Sequence, residues 1–80
     1  MTIDEIKSRL TPIFRDVFSN DSLVVSERMT AADVPKWDSL SHINMIIAVE
    51  KSFRVKFSIK DARNLKDVGD LIALIQKKAS

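Results

Sequence analysis

Apolar residues return every three or four positions in three separate stretches of this 80-residue chain, the period of helices buried along one side. In "TIDEIKSRLTPIFRDVFS" the repeat runs through Ile3, Ile6, Leu10, Ile13, Phe14 and Val17. Thr2 and Glu5 precede it at the spacing of a reciprocal cap, in which each side chain binds the other's backbone N–H. Pro12 lies inside the repeat, lacks a backbone donor and crowds the preceding turn, so a kink or a slipped start is expected there. The final stretch, "DVGDLIALIQKKAS", places Val68, Leu71, Ile72 and Ile75 at helical spacing. Asp67 is its expected cap, Asp70 falls in its first turn, and Lys77 and Lys78 close it in the sense the helix dipole favours.

The middle helix is expected from about Ser39 to about Phe53. Pro35 discourages helix in Val34, so the element begins only after it. Residues 19–36 are rich in turn formers and hold no sustained period, which predicts a long loop pinned by the apolar islands Leu23–Val25, Met29 and Val34. Phe53, Val55, Phe57 and Ile59 alternate like a strand, but a lone strand has no partner in this chain. A loop is expected instead, followed by a short helix over 58–64 capped by Ser58. The fold class is therefore all-α: a four-helix bundle of three longer helices and one short one, with a long loop between the first and second, in a single domain over residues 1–80.

A chain this short buries a modest core and has little room for a deep catalytic cleft. It contains no cysteine, one histidine, His42, and one glycine, Gly69, so thiolate chemistry, a metal cluster and a glycine-rich phosphate loop are all absent. His42 lacks an acid partner in the sequence and reads as a partly exposed helix-surface residue rather than a general base. The apolar runs are too short to cross a bilayer and the N-terminus does not read as a signal peptide, so a soluble, cytoplasmic protein with no membrane partner is expected. The net charge is +2, yet residues 1–40 sum to −2 and residues 41–80 to +4. Lys51, Arg54, Lys56, Lys60, Arg63 and Lys66 are opposed in their stretch only by Asp61. Such a cluster is usually a solvated face; it also suits nucleic acid or an acidic protein surface. The DNA reading ranks last, because "SIKDARNL" is short for a recognition helix and no symmetric partner is evident.

The middle helix has more apolar surface than folding requires. At 100° per residue, Met45, Ile46, Val49 and Phe53 share one side, while Leu40, Ile43 and Ile47 lie nearly opposite. The first stripe, continued by Phe57 and Ile59, is assigned to the core. The second is left as an exposed patch flanked by Asn44, Lys51 and Arg54, and such patches mark partner sites. At its head stand Asp38 and Ser39. By local rules either residue simply caps the helix, and a helical interaction module without a prosthetic group is then one reading of the chain. A phosphoester on Ser39 would also be stabilised there by free N–H groups and the helix dipole.

Around this point "WDSLSHINMIIAVEKSFRVKFS", a short link and "LKDVGDLIALI" resemble the acyl carrier proteins of the phosphopantetheine-binding family. Asp38-Ser39-Leu40 matches the family's attachment motif, with the preceding tryptophan, Glu50-x-x-Phe53 and the entry to the last helix also matching. The likeness extends over nearly the whole chain and its helix order. It implies a non-enzymatic carrier in which a phosphopantetheinyl transferase attaches 4′-phosphopantetheine from coenzyme A to Ser39, with Asp38 as cap or orienting neighbour. The arm's thiol would carry acyl or aminoacyl groups as thioesters between acyl-loading and acyl-transfer enzymes, which Leu40, Ile43 and Ile47 would contact. The resemblance departs from the family's pattern in charge. The second helix carries Glu50 alone, followed by Lys51 and Arg54, and position 41 is serine rather than an acid. Lys51 and Arg54 are thus expected at the margin of the partner face of a monomeric, stand-alone carrier. Its expected place is a dedicated pathway, polyketide, aminoacyl or other specialised acyl transfer, rather than housekeeping fatty-acid synthesis.

Overall fold

A computed structural model describes residues 1–79 as four helices: α1 (Ile3–Val17), α2 (Ser39–Phe53), α3 (Ile59–Arg63) and α4 (Val68–Ala79), with a single 3-10 turn at Ala31–Asp33. No strand occurs among the described residues. α1 packs against both α2 and α4. Their apolar stripes meet in one core: Ile6, Leu10 and Phe14 from α1, Met45, Ile46, Val49 and Phe53 from α2, and Val68, Leu71, Ile72 and Ile75 from α4. Removing each such side chain from water contributes about 1.5–3 kcal/mol, which is why these three helices form the body. The five-residue α3 buries none of its residues.

The helices start where the sequence places their caps. Thr2 accepts the Glu5 N–H at 3.1 Å while Glu5 accepts the Thr2 N–H at 3.2 Å, Ser58 and Asp61 trade the same bonds, and Asp67 accepts the Asp70 N–H at 2.8 Å. Pro12 does not shift the start of α1, which is one uninterrupted helix from Ile3. Pro12 and Ser8, whose carbonyl loses its helical donor to the proline, are both exposed residues. The loop between α1 and α2 is pinned by buried Leu23, Val25 and Val34 and half-buried Met29, while Val24 between the first two points outward at 68% exposure. It also feeds α4: Val68 and Gly69 donate to the carbonyls of Met29 and Glu27 at 2.9 and 2.8 Å. A Cβ on Gly69 would stand 3.0 Å from the Glu27 oxygen, so any larger residue would push this close crossing apart by a few tenths of an ångström.

Ile59 departs from the expected core stripe and is 76% exposed. Arg54 turns the chain through a left-handed conformation at φ 56°, and the cap at Ser58 then starts α3 in a new phase, so the alternation ends at half-buried Phe57.

α3 is joined to the body by a polar clasp. The Trp37 indole Nε1–H donates to His42 Nδ1 at 3.1 Å, which leaves the proton on Nε2, and that nitrogen donates to the Ala62 carbonyl at 3.1 Å. The imidazole lies nearly in the plane of the indole, with 16° between planes and centroids 6.0 Å apart, and the indole in turn packs against Phe14 and Phe18. His42→Ala should lower unfolding stability by about 1–3 kcal/mol, since two polar groups lose their partner. Trp37 is the chain's one tryptophan, so its emission reports the loss directly; an unchanged urea midpoint and an unchanged spectrum would show the clasp to be idle.

Cap hydrogen bonds hold three carboxyls, exposed Glu5 and Asp38 and half-buried Asp61, below their usual range: the Thr2 N–H acts on Glu5, the Ser41 N–H on Asp38 and the Ser58 N–H on Asp61. Each binds its proton more weakly folded than unfolded, so its contribution is complete above the ordinary carboxylate range and is lost as pH falls through the lower folded value. The urea midpoint should therefore hold from neutrality to about pH 5 and fall below it. Asp38→Asn, which still caps but does not titrate, should shrink that fall; an unaltered pH profile would contradict the assignment.

Candidate functional site

The N-terminus of α2 is closed by Asp38 and Ser41. Asp38 Oδ1 accepts the Ser41 N–H at 2.9 Å, Ser41 Oγ accepts the Asp38 N–H at 2.8 Å, and the Ser41 hydroxyl donates to the Lys36 carbonyl at 2.6 Å. Lys36 adopts φ 73° to present that carbonyl, a left-handed conformation costing about 1–2 kcal/mol. The carboxylate of Asp38 is kept ionised by the Ser41 N–H first and the Ser41 hydroxyl second.

Ser39 takes no part in this exchange. It is the first helical residue, it is exposed, and its hydroxyl makes no hydrogen bond within the described residues. The helix ladder begins beyond it, at His42 N–H to Asp38 carbonyl, 2.9 Å. Donors at a helix start that find no carbonyl are available to an anion, and the dipole favours one. A phosphate ester on Ser39 thus fits the residues around it: the oxygen is accessible, uncommitted, and beside N–H groups rather than carbonyls.

From Ser39 an open groove of about 950 Å³ runs between α2 and α3. Ile43, Ile46 and Ile47 form one wall, and Phe57, Ala62 and Leu65 contribute the other. The three stripe residues are exposed as expected, Leu40 at 71%, Ile43 at 56% and Ile47 at 45%. Ser39, Ile43 and Ile47 thus meet at the groove, with Asp38 at its edge. Lys51 and Arg54 do not line it; Lys51 stands twelve residues beyond Ser39, about 18 Å along the helix axis. They lie at the far end of the exposed stripe.

Four features of this region have no sequence signal of their own, or a faint one. The Asp38-x-x-Ser41 spacing is that of a reciprocal cap with serine in place of the usual Glu or Gln, and it assigns Ser41 a structural role. His42 lies one turn past Asp38, but only the fold brings Trp37 and Ala62 to its two nitrogens. Glu50 turns away from solvent to accept the Phe57 N–H at 2.9 Å, a contact across the α2–α3 loop. Ile59 and Arg63 join the groove from α3. No group of three or more His, Cys, Asp or Glu able to hold a metal occurs among the described residues.

No family model matches the chain. Curated relatives do. The acyl carrier protein of Thermosynechococcus vestitus is 30% identical over 80 residues, covering 100% of this chain and 99% of the relative. The meromycolate extension acyl carrier protein of Mycolicibacterium smegmatis is 32% identical over 76 residues, covering 95% and 77%. Among solved structures, the solution structure of a holo acyl carrier protein from Geobacter metallireducens superposes with a TM-score of 0.83 at 46% identity, over 89% of this chain and 82% of that one. Agreement this long, in sequence and in helix arrangement together, places the chain in the acyl carrier protein family, whose members are not enzymes but carry acyl groups on a 4′-phosphopantetheine arm.

Proposed function

We propose that Ser39 is the attachment residue and that the chain is a single carrier domain over residues 1–80, acting as a monomer in the cytoplasm. The observation that carries this reading is the division of labour at the start of α2. Asp38 and Ser41 complete the cap between them, so the Ser39 hydroxyl has no structural duty and faces solvent. In the attachment step the Ser39 oxygen bonds to the β-phosphorus of coenzyme A as the diphosphate linkage breaks. Adenosine 3′,5′-bisphosphate leaves, and the hydroxyl proton passes to a base of the phosphopantetheinyl transferase. When attached, the arm supplies a thiol that holds acyl groups as thioesters, chemistry that a chain without cysteine does not otherwise possess.

The chain's own residues orient and present that arm. The Asp38–Ser41 cap fixes the helix end beneath it, and the groove walls from Ile43 to Leu65 offer apolar surface beside it. Leu40, Ile43 and Ile47 form the face toward loading and transfer enzymes, with Lys51 and Arg54 at its margin. The absence of an exposed acid within α2, where Glu50 is half-buried and bound to Phe57, supports a specialised stand-alone carrier serving a dedicated acyl, polyketide or aminoacyl pathway in preference to a housekeeping fatty-acid role. Charge at a rim governs encounter and partner choice more than affinity.

Incubation with coenzyme A and a broad-specificity phosphopantetheinyl transferase, followed by intact mass measurement, should show one added arm. Ser39→Ala should gain none, whereas Ser41→Ala should still be modified although its cap is lost, lowering stability by about 0.5–2 kcal/mol. Modification of Ser39→Ala to the wild-type extent would refute the assignment.

Ile47→Ala should slow turnover by a cognate acyl-loading enzyme while moving stability by no more than about 0.5 kcal/mol, the range for surface positions. A large drop in melting temperature would place Ile47 in the core instead.

A further inference from the structure

The exposed stripe of α2 extends onto a second helix. Ile59, the first residue of α3, is 76% exposed and lines the same groove as Ile43 and Ile47, so the apolar seat spans both helices. Cations border it on both helices. Lys51 follows Ile47 by one turn and falls in line with it and Leu40, and Lys60 and Arg63 project from α3. All three are exposed, and among the described residues none of them is ion-paired. The neighbouring acids are committed. Glu50 accepts the Phe57 N–H; Asp61 accepts the Ser58 N–H and holds the Lys78 ammonium at 3.3 Å. Glu50 and Asp61 are thus engaged with backbone or lysine while Lys51, Lys60 and Arg63 face solvent without an ion pair among the described residues, and Asp38 is the exposed carboxylate of the groove lining.

We infer that this two-helix face docks a protein partner whose apolar socket is bordered by aspartates and glutamates, a proposal that rests on the carrier reading above. An apolar centre inside a charged rim is the anatomy of a protein–protein interface. A phosphate backbone would use the cations but would leave Leu40, Ile43, Ile47 and Ile59 in contact with water, which disfavours nucleic acid as the occupant. Opposite charge across the rim accelerates encounter, and like charge excludes wrong partners. The seat therefore rejects sockets edged with lysine and arginine.

The test uses two synthetic amphipathic helices with the same leucine face, one flanked by glutamates and the other by lysines, titrated into the ¹⁵N-labelled full chain. The glutamate peptide should shift amides between Leu40 and Arg63 and bind roughly tenfold or more tightly than the lysine peptide at low salt. That preference should fade in 1 M salt, where charges are screened beyond about 3 Å. Lys51→Glu, Lys60→Glu and Arg63→Glu together, with helicity checked by circular dichroism, should reverse it; if that variant does not fold, the salt dependence of the unaltered chain decides. Equal binding of the two peptides, a lysine preference, or tighter binding to a 20-base-pair DNA duplex would overturn the proposal. Phosphopantetheine uptake by the same preparation separates the two ideas. Uptake with a lysine preference refutes the docking surface alone, and failure of uptake refutes the carrier reading whatever the peptides do.

Discussion

Two side chains exchanging hydrogen bonds with each other's backbone decide how α2 begins, and most of what matters in this protein follows from that start. Once Asp38 and Ser41 set the first turn, the helical phase is fixed for fifteen residues. Met45, Ile46, Val49 and Phe53 then face the core, and Leu40, Ile43 and Ile47 are turned out. The two stripes keep their separation along the helix because each residue advances by about 100°. The same exchange releases Ser39 from capping duty. Structure and chemistry are thus divided among adjacent residues: the acid and the second serine hold the helix, and the first serine is left for solvent.

The body and the groove differ in how they are held. α1, α2 and α4 share a core of wholly apolar side chains, with no buried polar residue among the described residues, whereas α3 contributes no buried residue. It is retained by the His42 bond to Ala62, by the Asp61–Lys78 pair and by half-buried Ala62 and Leu65. Elements with few buried apolar contacts open at the lowest cost. The second wall of the groove is consequently the part of the fold that yields most readily, while the wall carrying Ser39 belongs to the rigid body.

Helix positions were legible because period and caps agree. Thr2-x-x-Glu5, Ser58-x-x-Asp61 and Asp67-x-x-Asp70 mark three starts, and the double stripe of α2 foretells which of its residues are buried. Reasoning by continuity failed at Ile59, because a left-handed residue and a new cap intervene between it and the Phe53 stripe and reset the phase. Pro12 did not slip the start of α1, which the Thr2–Glu5 cap sets at Ile3. The Trp37–His42–Ala62 clasp and the crossing of Glu27 over Gly69 were not legible. The His42–Ala62 bond and the Glu27–Gly69 crossing join residues separated by twenty or more positions in the chain, and the Trp37–His42 bond, five positions apart, has no motif spacing to announce it. Ser39 occupies a middle case: its local context reads as a cap, and only the flanking pattern favours another use.

The distribution of charge follows a logic separate from that of the fold. Every acid near the groove is engaged in building it, as cap or as acceptor for a loop N–H, so acids here are structural and their number on the outer face falls. The cations of the same region have no such work; Lys51, Lys60 and Arg63 are exposed without ion pairs among the described residues, and exposed residues change at little energetic cost. A fold shared with relatives at about 30% identity can therefore keep its core and caps while its rim changes sign. Since rim charge acts chiefly on encounter and exclusion, partner choice in such a carrier is set by those residues that stability constrains least.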